Sequence, residues 1–484
     1  MKATLETKIG LEVHCQLTNL RSKLFCGCSA NYRGKEPNTH MCPVCLGLPG
    51  SLPVLNSKAI EDAIMIALAL GADISSRTLF FRKNYFYPDM PKNFQISQYD
   101  QAGGVPIAAG GSVSMGNGKK VRIRMIQIEE DPAKLSYEGT IDSASATLVD
   151  YNRAGIALME IVTEPDLESP NDARLFLQNL RSILEHLGVS DGSLEGSMRC
   201  DANISLGEGR RVEIKNISSF KEVERALNFE IARQKSLLDR GAEVKMETRH
   251  WDELRRVTVS LRVKEEEHDY RYFPEPDLVP IAVTPELIDK VKANMPELPE
   301  MREERFVEEY DLPHEAAQTL TGNKRLADFF EDCVKSYPDA KKIGNWLVSD
   351  FLRYLYEAGL DIDESRVTPN HLVKMLQLID SGVISGKIAK QVLKEMMTTG
   401  RLPDSIVEEK GLRRISSRNY IESEVEKVFK ELPQAVNDAL SDEKAVNYLI
   451  GELMRRTSGK CDPTLANEIV SSKLSKLKSK QTAA

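Results

Sequence analysis

Residues 9–17 read Ile9-Gly10-Leu11-Glu12-Val13-His14-Cys15-Gln16-Leu17. Successive side chains of an extended chain point to opposite faces, so Ile9, Leu11, Val13, Cys15 and Leu17 form one apolar face. Gly10, Glu12, His14 and Gln16 form the other. Such alternation predicts a strand with one buried and one polar face, the habit of antiparallel sheets. Glu12 and His14 are neighbours on the polar face, and Gly10 lets another backbone or a ligand approach closely. A carboxylate beside an imidazole can hold a divalent cation or move a proton. Taken alone, the same pattern also describes an ordinary solvent-facing strand.

Two more segments repeat the arrangement. Arg199–Leu206 places Cys200, Ala202, Ile204 and Leu206 on one face and Asp201, Asn203 and Ser205 on the other. Arg211–Lys215 sets Val212 and Ile214 against Arg211, Glu213 and Lys215, and the glycines in Leu206–Arg210 can turn the chain into a hairpin. Lys120–Ile128 alternates as well and runs into Glu129-Glu130-Asp131. Strands that offer carboxylates beside lysine, asparagine or histidine suit a Mg²⁺–nucleotide site, where oxygen ligands hold the metal and cations hold phosphates. Spacing alone does not make these faces converge.

Around this core the chain divides. At 484 residues it exceeds one hydrophobic core. The first 295 residues mix alternating segments with two well-signalled helices. One has Ser169 as N-cap, Pro170 in its first turn and Gly188 past its end; the other runs from about Lys221 to Arg240 and stops at Gly241. Beyond them Ala340–Tyr356, His371–Ile379, Gly386–Met397 and Tyr420–Leu477 carry helical periodicity. The expected fold class is therefore α+β: a large, mostly antiparallel-sheet domain over 1–295, a helical domain over 296–405 and a small helical tail over 406–484. No apolar run reaches the roughly 18–20 residues that span a bilayer, and Met1–Lys8 has no signal-peptide core, so the cytoplasm is the expected compartment. The net charge of −8 argues against a general polyanion-coating protein. Arg455–Lys480 nevertheless holds seven basic residues against two acidic ones. That balance suits either a local nucleic-acid contact or a solvated terminal helix.

Four of the eight cysteines fall within 26–45, as Cys26-x-Cys28, thirteen residues, then Cys42-Pro-Val-Cys45. In a chain without secretory features, two close pairs around a short loop suit a tetrahedral zinc site. Only one residue separates the first pair, and His40 could replace a weak ligand. Four thiolates leave no open position, so this zinc is expected to be structural. Cys15, Cys200, Cys333 and Cys461 are isolated and read as small buried hydrophobes. Arg82-Lys83-Asn84-Tyr85-Phe86-Tyr87-Pro88 combines cations and aromatics that could stack a base and neutralise a phosphate, or else pack into a core. Gly382–Lys387 is too short in spacing for a phosphate loop. Neither a Gly-x-Gly-x-x-Gly strand–helix turn nor a Gly-x-Ser-x-Gly elbow occurs, and Gly110-Gly111-Ser112 lacks the run expected of an amidase serine.

Long strings of this sequence resemble the B subunits of the tRNA-dependent amidotransferases. They are Ile9–His14, Arg82–Pro88, Gln95–Asp100, Glu129–Asp131, Asp150–Gly155, Glu160–Asp166, Arg199–Ser205, Glu213–Asn216 and Asp269–Asp277, continuing at Asn345–Leu347, Ile384–Gln391 and Tyr448–Asn467. The resemblance spans essentially the whole chain. It departs at Gly459–Pro463, where Cys461-Asp462 stands in place of a small residue and Asn. The length leaves no room for the extra domain of the archaeal paralogue, which points to the three-subunit type. The resemblance implies a cradle domain, with a zinc knob at 26–45, that uses ATP and Mg²⁺ to phosphorylate the side-chain carboxylate of Asp or Glu on misacylated tRNA. It also implies a tail that grips tRNA. The A subunit, which is an amidase (glutaminase), would supply the ammonia, and the small C subunit would complete a heterotrimer. Carried over by residue, Glu12, His14, Glu130 and Glu213 become the metal-binding and catalytic set, with Asp201 as a close candidate and Glu129 a weaker one. Lys83 and Lys215 become phosphate contacts, with Asn84 and Tyr85 beside the nucleotide. Cys26, Cys28, Cys42 and Cys45 become the zinc ligands. Two rival functions are a non-catalytic tRNA-binding or assembly role and that of an ATP-dependent ligase acting on a free carboxylate.

Overall fold

The computed structural model describes residues 6–100, 103–116, 118–137, 144–207, 209–262, 270–415, 417–440, 442–457 and 459–482. Asp269 of the matched strings, Glu208 of the expected hairpin turn and residues 1–5 lie outside them. The chain forms two compact units that meet in sequence after Arg302.

The opening alternation becomes β1 (Thr7–Gln16), the central strand of a ten-stranded sheet. The strands that matter here are β2 (Phe81–Asn84), β3 (Phe94–Ser97), β4 (Lys120–Glu130), β5 (Ala157–Thr163), β6 (Met198–Leu206), β7 (Val212–Ile217), β8 (Glu247–Asp252), β9 (Val257–Arg262) and β10 (Phe273–Pro274). Along the large sheet the order is β9-β8-β7-β6-β1-β5-β4, followed by two short edge strands. β1 lies antiparallel between β5 and β6, and β8 runs parallel to β7. The predicted hairpin is β6–β7, with Asn203 opposite Glu213. β2, β3 and β10 make a separate three-stranded sheet.

Ile9, Leu11, Val13 and Cys15 are at most 1% exposed and share one core with residues of helices α1 (Ser57–Ala69), α2 (Pro170–His186) and α3 (Phe220–Asp239). The helices therefore cover the apolar face and leave the polar face open. α2 and α3 begin as their caps dictate: the Ser169 and Ser219 side chains accept from the backbone amides of Asp172 and Glu222. Gly188 and Gly241 end them at φ of 69° and 72°, where a side chain would be strained. α1 was not expected. Eight of its thirteen residues are buried, so it shows no clean apolar stripe. Phe176 of α2 is fully buried in this core. Phe176→Ala is expected to destabilise the first unit by about 3–5 kcal/mol, read as a lower urea midpoint with an unchanged slope.

The second unit is helical. Its helices pack around two separate apolar clusters, one from Phe306 to Val407 and one from Ile421 to Leu474. The expected Ala340–Tyr356 helix is interrupted by a π-helical turn at Leu347–Phe351, where buried Asp350 pairs with Arg353 and Lys390. Cys461 is fully buried in the terminal cluster. Asp462 accepts from the amides of Thr464 and Leu465 and pairs with Arg414 at 2.5 Å. The departure from the family pattern thus still supplies an N-cap. Among the described residues no helix is long and apolar enough to cross a membrane.

Candidate active site

Sheet register brings the polar faces together. Glu12 lies opposite Asp201 on β6 and Val162 on β5; His14 lies opposite Arg199 and Glu160. Directly opposed residues of an antiparallel pair share a face, so one continuous polar surface runs from β4 to β8. It forms the floor of a cavity of about 1450 Å³ within the first unit. Glu12, Glu129, Glu160, Glu213, Lys83 and Lys215 all line it.

The acidic groups fall into two clusters. Glu12, Asp201 and Glu213 each offer a carboxylate oxygen within 4.8 Å of the others, and so do His14, Glu129 and Glu160 with their ligand atoms. In the first cluster Asn203 donates to Glu12 at 2.9 Å and Thr248 to Glu213 at 2.8 Å. Lys215 reaches Asp201 at 2.7 Å and Glu213 at 3.3 Å. Burial pulls the Lys215 ammonium down, but Asp201 and Glu213 outweigh it and leave the group above its ordinary value.

In the second cluster His14 Nε2 lies 3.7 Å from Glu160. Gln127 donates to both Glu129 and Glu160, and Ser97 and Gln95 donate to Glu129 at 2.5 and 3.1 Å. Burial, then the neighbouring Glu160 charge, raises Glu129 to about 7; burial and Glu12 raise Glu160. Burial also lowers His14, against the pull of Asp201 and Glu129. Crowded carboxylates of this kind are relieved by a hard cation. The first cluster offers the all-oxygen donor set such an ion prefers, and the second adds one imidazole nitrogen.

The structure redistributes the expected set. Glu12, Asp201 and Glu213 come together, whereas His14 belongs with Glu129 and Glu160. Glu130 joins neither. Consecutive strand residues face opposite ways, so Glu130 turns from the polar face, pairs with Lys92 and accepts from the Ile96 amide at 2.9 Å. Lys83 Nζ sits 5.1 Å from the Tyr270 ring on the cavity wall, and Tyr85 lines the same wall. Asn84 instead donates to the backbone carbonyls of Tyr270 and Arg271 and so fixes that wall in place. Arg82 does similar work through a two-pronged pair with Glu275 at 2.6 and 2.8 Å. Glu160 was not singled out from sequence. Its signal was there, a lone acid within the apolar run Ala157–Val162, which becomes a half-buried carboxylate once the run is a central strand. Thr248 and the Tyr99–Tyr272 stack, with ring centroids 4.5 Å apart, carried no such mark.

The four clustered cysteines also converge, with Cys45 Sγ at 3.3 Å from Cys26 and 3.6 Å from both Cys28 and Cys42. Tetrahedral Zn–S bonds of about 2.3 Å place sulfurs about 3.8 Å apart, so the spacing fits zinc. Hydrogen bonding from Cys26 pulls Cys45 well below the usual thiol range and lifts Cys26 in return. Cys15, Cys200, Cys333 and Cys461 are buried, as their isolation suggested.

The profile of the GatB/GatE catalytic domain matches residues 7–289, which contain every residue of both acidic clusters and the cysteine cluster. The B subunit of the aspartyl/glutamyl-tRNA(Asn/Gln) amidotransferase of Saccharolobus solfataricus is 51% identical over 468 residues, covering 96% of this chain and 99% of that protein. The chain belongs to this B-subunit family. The GatB domain profile matches residues 328–474 as well, so the family likeness takes in part of the first helical core of the second unit and all of the second. The corresponding proteins of Thermoanaerobacter sp. and Thermotoga maritima are each 48% identical, covering 97% and 96% of this chain and 99% and 97% of their own lengths.

Proposed function

We propose that this B-subunit family member is the activating half of a tRNA-dependent amidation. Its substrates are ATP and Asp or Glu esterified to tRNA(Asn) or tRNA(Gln). The γ-phosphate passes to the side-chain carboxylate, and ammonia from a partner glutaminase then displaces the phosphate to leave Asn- or Gln-tRNA. One observation carries the reading: two carboxylates from each acidic cluster, Glu12 and Glu213, Glu129 and Glu160, line a single large cavity with two lysines. A carboxylate is a poor electrophile, and phosphorylation supplies a leaving group. Glu12, Asp201 and Glu213, and separately His14, Glu129 and Glu160, would hold Mg²⁺, which offsets phosphoryl charge when bound. Lys83 and Lys215 offset the rest, Lys215 held in place by Asp201. Tyr85 lies beside them on the wall. The cysteine knob takes a structural Zn²⁺ through Cys26, Cys28, Cys42 and Cys45. In this reading the chain works in the cytoplasm with the amidase A subunit in a heterotrimer that the small C subunit completes, and its basic terminal helix meets the tRNA.

The test is amide formation by the assembled complex given ATP, Mg²⁺, glutamine and each misacylated tRNA. The expected products are Asn-tRNA(Asn), Gln-tRNA(Gln) or both. Amidation of free aspartate or glutamate at the same rate would favour a ligase for small substrates. Amide formation that persists when this chain carries Lys215→Met would favour an assembly role.

A further inference from the structure

At the mouth of the cavity, two rings face water. Phe86 is 70% and Tyr87 58% exposed, and both belong to the cavity lining together with Lys83 and Tyr270. Their exposure does not come from a loose loop. The Tyr85 amide donates to the Asn93 carbonyl at 3.1 Å and the Met90 amide to the Tyr87 carbonyl at 2.9 Å. The Tyr151 hydroxyl donates to the Pro88 carbonyl at 2.9 Å. The backbone thus holds two apolar rings out of the core beside a polar cavity. The Arg271 guanidinium lies 5.7 Å from the Phe86 centroid, and Lys83 lies 5.1 Å from that of Tyr270. Aromatic rings alternating with cations at a cleft mouth are the surface chemistry of single-stranded nucleic-acid binding, because every base has a face to stack and every nucleotide a phosphate to neutralise.

We propose that Phe86 and Tyr87 are a stacking platform for the unpaired bases at the 3′ end of the tRNA. The inference rests on the proposed function, since an amino acid esterified to the terminal ribose can reach the acidic floor only if that end enters the cavity mouth. Three Cα-to-Cα steps separate Lys83 from Phe86, at most about 11 Å. A terminal nucleotide held at Phe86 therefore stays within reach of the phosphate-binding lysine. The other base that could stack here is the adenine of ATP, and the experiment separates the two.

The assembled complex is prepared with Phe86→Ser, Tyr87→Ser, the double substitution and the conservative Phe86→Tyr. Binding is measured to intact tRNA and to the same tRNA lacking its unpaired 3′ nucleotides, and KM is measured for ATP and for misacylated tRNA. Each serine substitution is expected to weaken intact tRNA by about 5- to 150-fold, equivalent to about 1–3 kcal/mol per stacked base. Binding of the shortened tRNA and KM for ATP should not move, and Phe86→Tyr should restore most of the loss. Equal losses on both tRNAs, no loss on either, or a rise in KM for ATP alone would each overturn the platform. If the wild-type complex binds neither tRNA better than an unrelated RNA, the proposed function itself fails and the platform falls with it.

Discussion

Glu213→Ala is expected to lower ATP-dependent activation at least about 10²- to 10³-fold while tRNA binding is retained. That loss is the size seen when one preorganised electrostatic group is removed from a site that stabilises developing charge. Glu213 is 6% exposed, accepts from Thr248 and stands with Glu12 and Asp201 around a common point. Without a metal ion Lys215 alone offsets three carboxylates, so removing one leaves the cluster closer to neutral although it costs the 3.3 Å pair with Lys215. The melting temperature of the variant should therefore stay level or rise, and Lys215 keeps its 2.7 Å contact with Asp201. Activity and stability then move in opposite directions, which a merely structural glutamate would not give. Glu213→Gln keeps the shape and the Thr248 contact but not the charge. Full activity in that variant, or in the alanine variant, would remove Glu213 from the site.

Cys45→Ser should have the next largest effect. Cys45 Sγ is the hub of the cysteine cluster, within 3.6 Å of each of the other three sulfurs. Structural zinc binds such sets with apparent free energies of about 10–16 kcal/mol, comparable with the whole stability of a domain. The expected result is loss of about one equivalent of zinc and rapid proteolysis within residues 26–45. The damage should reach further, because this segment is tied to the rest of the first unit: Arg33 donates to Gln16 on β1, and the Asn38 and His40 amides donate to Asp150 and Asn152. Elemental analysis of fresh, reduced protein provides the check. Zinc absent from the wild type, or retained in full by the variant, would contradict a four-cysteine site.

The strands that carry the site were legible because alternation is a local signal. Ile9–Leu17 and Arg199–Leu206 declared both faces, and Ser169 with Gly188, and Gly241, marked bounds of two helices that cover the apolar one. Which acids meet was not legible, since that depends on the order of strands in the sheet. Glu12 finds Asp201 only because β6 lies beside β1, and His14 finds Glu160 only because β5 lies on the other side. The adjacent pair Glu129-Glu130 shows the limit more sharply. A strand must send its two carboxylates to opposite faces, but only the structure says which one enters the cavity and which meets Lys92. α1 escaped notice for a different reason: a helix buried on nearly every side has no periodic contrast to read.

The most direct test of the account is the dependence of ATP turnover on the esterified amino acid. The assembled complex, with Mg²⁺ and γ-labelled ATP, is compared with misacylated tRNA, deacylated tRNA and no tRNA. If the cavity activates the side-chain carboxylate, γ-phosphate is consumed rapidly with misacylated tRNA alone, and Glu213→Ala removes that increment. Equal consumption with deacylated tRNA, or without tRNA, would contradict it.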